Sequence, residues 1–167
     1  MPFDETLARL TDRFGPQKIA SSSFRDNQRV LVPRELLFAL LEFLKNECGF
    51  DMLVDVTAVD YLHYRGARDR FGLIYSLRSV DRAERLFVKT MLNEPELTVP
   101  SAVPLWESAN WLEREVYDMF GIRFDGHPDL RRILLPEEFT AYPLRKDYPL
   151  QGRGERHNFP RLSRAES

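Results

Sequence analysis

The chain has 167 residues, a length that suits one domain able to bury a substantial core without disulfides. Its net charge of −2 excludes a general attraction to nucleic acid or to an anionic membrane. The single cysteine, Cys48, can form neither an internal disulfide nor an iron–sulfur cluster, and we interpret it as a small buried residue. No apolar run approaches the roughly 20 residues of a membrane helix, so any membrane association is expected through partners.

The first fifty residues predict two helices separated by a hairpin. Apolar residues at helical spacing indicate a first helix that Gly15 and Pro16 end; they are Phe3, Leu7, Leu10 and Phe14. Short strands over residues 18–22 and 28–32, with a polar turn at 23–27, indicate a β-hairpin. A second helix over residues 35–47 is expected to open after Pro33 and to end at Gly49.

Three consecutive strands are expected next, over residues 52–62, 72–79 and 85–91. The first alternates, with one face expected to carry Met52, Val54, Val56 and Ala58. Residues 81–83 fit a hairpin turn between the other two strands. Because short links join the three strands, antiparallel pairing is expected. These elements predict an α+β fold, in which helices pack on a mixed or antiparallel sheet.

The character of the chain changes twice after residue 93. Three prolines interrupt residues 94–104. A helix is expected over residues 105–120, with a possible break near Asn110 and a stop at Gly121. Its buried apolar stripe is expected to consist of Leu112, Val116, Met119 and Phe120. Beyond Gly121 prolines recur, which predicts an extended Pro-rich C-terminal segment with little core of its own. We therefore divide the chain into a core domain, 1–121, and a segment, 122–167, that docks on a partner.

The end of the chain is also basic, which is typical of a contact segment. From Pro143 onward the charged residues are basic at Arg145, Lys146, Arg153, Arg156, Arg161 and Arg164, and acidic at Asp147, Glu155 and Glu166.

Motifs for common chemistries are absent from the sequence, with one alternative left open. There is no glycine-rich phosphate loop and no nucleophile elbow. A cluster of possible metal ligands lies within 17 residues; it consists of Glu113, Glu115, Asp118, His127 and Asp129. However, Arg114 and Asp118 are spaced for an ordinary helical ion pair, and further arginines lie nearby. A structural charge network is therefore the favoured interpretation.

The segment 113–135 resembles the signature of the thirty-kilodalton subunit family of respiratory complex I. That signature runs Glu-Arg-Glu, two residues, an acid, two apolar residues, six residues, His or Lys, three residues, a basic residue and then apolar residues, and this chain fills every position. Residues 52–61, 109–111 and 143–149 are similar to the family as well. The resemblance marks the following residues as motif or partner-interface residues: Glu113, Arg114, Glu115, Asp118, Gly121, His127, Asp129, Leu130, Arg131, Arg132, Arg145, Lys146, Asp147 and Tyr148.

The resemblance implies a non-catalytic structural subunit in the peripheral arm of the proton-translocating NADH:quinone oxidoreductase. Such a subunit holds no cofactor, whereas the whole complex uses FMN, Fe–S clusters, NADH and quinone. Its implied partners are the hydrogenase-like large subunit of complex I, along which the C-terminal segment lies, and neighbouring quinone-site and Fe–S subunits, with no nucleic acid. Its implied place is peripheral, on the cytoplasmic side of the bacterial inner membrane, which it reaches only through the complex.

Two alternatives remain open at this stage. An equivalent subunit of a membrane-bound hydrogenase or ferredoxin-type complex has a similar sequence. A stand-alone metal-dependent hydrolase would use Glu115, Asp118 and His127.

A physical hypothesis for the motif follows from helical spacing. We expect Glu113, Arg114 and Asp118 to lie away from the apolar stripe, with Glu115 at its border. Together with Arg131 and Arg132 they would form a buried ion-pair network at the contact with the partner. The alternative is that this network only holds the domain's own helix.

Overall fold

The computed structural model describes residues 3–158 and has the expected α+β architecture. The predicted contact residues Arg161, Arg164 and Glu166 lie outside the described residues, as do the side chains of Phe3 and Arg156. In chain order the elements are α1 (Phe3–Phe14), β1 (Ala20–Phe24), β2 (Asn27–Leu31), a 3-10 helix (Arg34–Leu36), α2 (Leu37–Asn46), β3 (Met52–Asp60), β4 (Phe71–Ser79), β5 (Glu84–Leu92), β6 (Thr98–Pro100), α3 (Ala109–Phe120), β7 (Arg123–Asp125) and a 3-10 helix (Glu155–Asn158).

A five-stranded mixed sheet, in the order β1-β2-β5-β4-β3, forms the centre of the molecule. The predicted antiparallel pairing of β3, β4 and β5 and the β1–β2 hairpin are confirmed, and β2 runs parallel to β5. The expected bounds of β1 were wrong by two residues, because Phe24 pairs directly with Asn27 across a tight turn at Arg25 and Asp26. Every residue of this edge strand is exposed, so burial imposes no alternation on its sequence.

The core lies between one face of this sheet and the helices. Four leucines of α2 are fully buried there, Leu37, Leu40, Leu41 and Leu44. Burying such a side chain stabilises the fold by about 1.5–3 kcal/mol relative to exposing it. Helix α1 adds Leu10 to the same core, and its Phe14 ring meets Phe43 edge-on. Cys48 is buried as expected.

The alternation expected for β3 fails at its start. A register shift between Leu53 and Asp55 makes Leu53 a core residue and leaves Met52 and Val54 exposed. After this bulge the expected face is restored, and it runs on through Val56 and Ala58 to a buried Asp60. A bulge adds one residue to a strand and so turns the preceding side chains to the opposite face.

Helix α3 begins at Ala109, four residues later than the start expected from the sequence. The preceding residues form turns in which the Trp106 indole N–H donates to the Asp51 carbonyl oxygen. Two three-residue strands on either side of the helix, β6 and β7, pair in parallel as a second small sheet. Sequence patterns missed this sheet because the prolines around β6 hide so short a strand.

Candidate functional site

Residues 126–158, which we call the strap, follow the core without forming a strand. The division of the chain at residue 121 stays a prediction, and Ile122 and Phe124 just beyond it belong to the core. Prolines remove backbone donors from the strap, so side chains must provide much of its attachment. The motif residues of α3 supply the first of two anchors, and the charged ends of the sheet strands supply the second.

The first anchor is the carboxylate of Asp118, which is fully buried. One of its oxygens accepts a hydrogen bond of 2.6 Å from the Arg132 guanidinium. The other accepts from the backbone N–H groups of Ile133, Leu134 and Leu135 at 3.0, 2.8 and 3.0 Å. One carboxylate thereby fixes the conformation of four successive strap residues.

Hydrogen bonding keeps Asp118 ionised despite its burial. Burial by itself would raise the pKa of this carboxyl group. The Arg132 guanidinium and the three backbone N–H groups outweigh burial, and the pKa of Asp118 ends below its usual value. Arg132 is held in turn by the carbonyl oxygens of Asp118 and Ala141, and it stacks over the Tyr142 ring.

Arg114 supports the same part of the strap in a different way from the one expected. Its guanidinium does not pair with Asp118 but donates to the carbonyl oxygens of Arg131 and Arg132 at 3.0 and 3.3 Å. It also stacks on the Trp111 ring, 5.0 Å from the centroid. Glu115 is exposed. Arg114 therefore binds the backbone of the strap, and Arg132 forms the ion pair with Asp118 that was expected of Arg114.

Glu113 and Asp118 were wrongly placed away from the buried stripe. Glu113 lies four residues after Ala109 and three before Val116, both buried, so it shares their face of α3. Asp118 is buried because the strap covers a second face at the end of the helix. We expected a partner subunit to bury these charges, whereas the strap of the same chain covers Asp118.

Glu113 makes no ion pair within residues 3–158, and it holds the start of the link between β6 and α3. Its carboxylate accepts from the Ser101 hydroxyl at 2.7 Å and from the Ala102 N–H at 2.6 Å. Burial raises the pKa of Glu113 to about 7, although these two hydrogen bonds act in the opposite direction. The group is therefore a buried acid that titrates near neutral pH.

His127 and Asp129 shape the turn that leads into the strap. The Asp129 N–H donates to His127 Nδ1 at 3.0 Å, so that nitrogen carries no proton. His127 Nε2 then donates to the Asn110 carbonyl oxygen at 3.0 Å. Asp129 and Arg131 form an exposed bidentate pair at 2.7 and 2.8 Å, and Leu130 packs against the core.

Gly121 and Arg145 join the end of α3 to the second part of the strap. Gly121 is left-handed (φ 76°), which ends the helix as expected. Arg145 Nε donates to the free Phe120 carbonyl oxygen at 2.6 Å, and the Leu144 N–H donates to that of Met119. A Cβ atom at Gly121 would lie 2.6 Å from the Tyr142 ring, so only glycine permits this approach.

The second anchor is a charge cluster at the ends of the sheet strands. Arg70, which precedes β4, pairs with Asp60, Glu94 and Asp147 at 3.3, 2.7 and 2.7 Å. Arg145 pairs with the other oxygen of Glu94 at 2.7 Å. These bonds run without interruption from the strap, through the sheet ends, to the terminus of α3.

Asp60 connects this cluster to the backbone of the strap. Its carboxylate accepts from the Lys146 N–H at 2.9 Å as well as from the Arg70 guanidinium. Burial would raise the pKa of Asp60, but the Lys146 N–H and the Arg70 guanidinium hold it below its usual value. Tyr148 lies just beyond, with its ring 5.9 Å from that of Phe139.

Sequence reasoning missed Asp60, Arg70 and Glu94 as anchors. One signal was present for Asp60, which continues the buried alternation of Val56 and Ala58 and so places a carboxylate inside. A buried carboxylate requires donors, and here the strap provides them. Arg70 and Glu94 lie in connections, where no periodicity marks a partner.

The residues of the hydrolase alternative do not form a metal site. Glu115 is exposed, the Asp118 oxygens are taken by Arg132 and backbone N–H groups, and both His127 nitrogens are engaged. Within residues 3–158 no group of three His, Cys, Asp or Glu side chains is arranged to hold a metal ion. Chemically, these side chains act as hydrogen-bond partners that hold the backbone of the strap and of its neighbouring turns.

Comparison with known proteins decides the family. Residues 30–154 match the model of the respiratory-chain NADH dehydrogenase 30 Kd subunit, which spans most of the chain and both anchors. The chain belongs to this family. The NADH-quinone oxidoreductase C subunit of Trichlorobacter lovleyi is 48% identical over 160 residues, which cover 96% of this chain and 98% of that protein. The corresponding C subunit of Geotalea uraniireducens is 42% identical over 149 residues, 89% of each chain.

Two solved structures share the fold of this chain. The trypsin-resistant fragment (1-134) of Nqo5 is 37% identical, with a TM-score of 0.68 over 74% of this chain and 98% of that one. A chain of the membrane-bound sulfane sulfur reductase, an archaeal respiratory membrane complex, is 23% identical with a TM-score of 0.76. It covers 90% of this chain and 87% of that one, and this second likeness shows the shared fold.

Proposed function

We propose that this member of the 30 Kd subunit family is a non-catalytic structural subunit in the peripheral arm of a proton-translocating NADH:quinone oxidoreductase. It takes part in the reaction as one chain of a complex that passes electrons from NADH, through FMN and Fe–S clusters, to quinone. The names of its relatives support its assignment to this complex. The anchors, which hold backbone in place, support a structural role within the complex.

The observation that carries the docking role is the direction in which the strap presents its side chains. The Arg132 and Arg145 side chains and several backbone N–H groups of the strap turn inward to the two anchors. Leu134 and Leu144 remain 60% and 50% exposed. Trp111, beside the Arg114 contact with the strap, is 63% exposed. A rigidly anchored segment that leaves apolar side chains in water is typical of a surface made for a protein partner.

The partner we propose for this surface is the hydrogenase-like large subunit of the complex, with the quinone-site and Fe–S subunits nearby. Asp118 and Asp60 fix the strap in advance, so little conformational entropy is lost on docking. We assign the cofactors to the other chains, in keeping with the single cysteine of this one, which cannot hold an Fe–S cluster. Among residues 3–158 no helix is long and apolar enough to cross a membrane. We place the chain at the cytoplasmic side of the inner membrane, held through the complex.

The test is recovery of the tagged chain from membranes solubilised in mild detergent, with mass spectrometry of what co-purifies. The hydrogenase-like large subunit of complex I, together with the cluster-bearing and NADH-binding subunits, is the expected set. A nickel–iron hydrogenase large subunit in their place would transfer the chain to the hydrogenase alternative. Recovery of the chain alone would contradict a structural role in either complex.

A matched pair of variants tests the docking surface itself. Leu134→Ser with Leu144→Ser is expected to leave folding intact and to lower the recovery of the large subunit. The control is Leu62→Ser, which changes an equally apolar exposed side chain in the loop between β3 and β4. Equal recovery with both proteins would rule out the strap as the docking surface.

A further inference from the structure

The second face of the five-stranded sheet, opposite the core, has no cover among residues 3–158 over most of its area. Strand register aligns its side chains in rows across the sheet: Met52 with Arg78 and Arg85, then Asp55 with Ser76, Phe87 and Arg29, then Thr57 with Ile74, Lys89 and Leu31. We call this surface the open face. It lies on the side of the sheet away from α2 and its buried leucines.

The open face carries large apolar side chains among its polar ones, whereas a solvent-facing sheet face is normally polar. Antiparallel sheets with one wet face alternate apolar residues inside with polar residues outside. Here Ile74 and Phe87 occupy the central strands and are only partly buried, while Leu31 and Met52 at the margins are exposed. Such a surface has the composition of a contact region with a charged rim.

The charge of the open face is opposite to that of the whole chain. Its ionisable residues are basic at Arg29, Arg78, Arg85 and Lys89, with one acid at Asp55, whereas the chain carries a net charge of −2. Arg78 and Arg85 are directly opposite each other on β4 and β5. Like charges in that arrangement destabilise a sheet, and neither arginine has an ion-pair partner within the described residues.

We propose that the open face is a second docking surface, which takes an acidic amphipathic segment of a partner chain. Its apolar side chains would cover Phe87 and Ile74, and its carboxylates would neutralise the facing arginines of β4 and β5. The open face is separate from the strap. The proposal rests on the proposed function only in assuming that the partner chain belongs to the same complex.

Hydroxyl-radical footprinting of the assembled complex and of the isolated chain is the first test. Met52, 48% exposed on the open face, reports on this surface, and Trp111 reports on the strap. Protection of both side chains in the complex is expected. Protection of Trp111 alone would overturn the second surface and leave the proposed function standing, whereas protection of neither would contradict both.

Charge reversal tests the chemistry of the partner. Arg78→Glu with Arg85→Glu is expected to lower the amount of assembled complex by about tenfold or more, because like charges would then meet across the interface. The control is Arg13→Glu with Lys18→Glu, two exposed reversals on the α1 side of the molecule. Equal loss with both pairs, or with neither, would overturn the proposal.

The occupant is identified by zero-length carbodiimide coupling in a chain that carries Arg85→Lys, which keeps the charge and supplies a reactive amine. The expected product joins the new amine on β5 to an Asp- and Glu-rich, amphipathic segment of another subunit. A product with a second copy of this chain would overturn the proposal. The proposal would also be overturned, in favour of a lipid surface, if the isolated chain bound phosphatidylglycerol vesicles and the Arg78→Glu, Arg85→Glu pair abolished that binding.

Discussion

Asp118→Asn is the change that most directly tests the first anchor. Asparagine has nearly the same shape, so the substitution leaves no cavity. However, its amide NH2 must replace one carboxylate oxygen, and both oxygens face donors. The amide would point either at the Arg132 guanidinium or at the N–H groups of Ile133, Leu134 and Leu135.

The cost follows from the burial of the pair. Asp118 is fully buried, and the Arg132 side chain is only 12% exposed. Removing one partner of a buried ion pair typically costs about 3–5 kcal/mol, because the other charge is left uncompensated. For a chain of this size that loss lowers the melting temperature by roughly 6–20 °C.

Calorimetry and hydrogen exchange on the isolated chain measure the two consequences separately. The amides of residues 133–135 are expected to lose protection before the sheet does, because their acceptor is the changed group. Asp129→Asn is the matched control, since its pair with Arg131 is exposed, and no measurable change is expected. A variant at Asp118 with unchanged melting and unchanged exchange would refute the anchor.

Three further predictions concern the same helix. Burial raises the pKa of Glu113 from 4.5 to about 7, so the free energy of unfolding of the wild type falls by about 2–4 kcal/mol as the pH rises through that window. The Glu113→Gln variant has no carboxyl group to titrate there, so its stability should lack this pH dependence. Urea titrations at several pH values should show this slope only in the wild type. Gly121→Ala should lower the melting temperature, because the residue has a left-handed backbone conformation, and should displace the Tyr142 ring, because the new Cβ would clash with it. The NMR chemical shifts of the Tyr142 ring measure this displacement. Arg114→Ala should weaken assembly on a native gel more than folding, because it frees strap carbonyl groups while leaving the core intact; normal assembly would contradict this.

The sequence was most informative where burial is periodic. The leucines of α2 and the alternating residues of β4 recur with the period of their elements, and both elements lie within two residues of their predicted bounds. The bounds of β1 were wrong and the β6–β7 pair was missed, because their short, exposed or proline-bounded segments carry no such pattern. The Leu53 bulge escaped because it changes register without changing composition.

The charged residues of the site were found by their type but not by their pairing. Helical spacing suggested that Arg114 would pair with Asp118, whereas Arg132, fourteen residues further on, takes that place. Local spacing on one helix cannot anticipate a segment that folds back over it. The same reason hid Asp60 and Arg70, because their strap partners, the Lys146 N–H and the Asp147 carboxylate, lie far along the chain.

The strap, held by its two anchors, is the part of this chain that we propose docks on the hydrogenase-like large subunit. The most direct measurement is cross-linking of the assembled complex through the Lys146 amine, followed by mass spectrometry of the joined peptides. We expect cross-links from Lys146 to the large subunit that Asp118→Asn strongly reduces and Asp129→Asn leaves unchanged. A complex that assembles normally with no cross-link from the strap to that subunit would contradict this docking role.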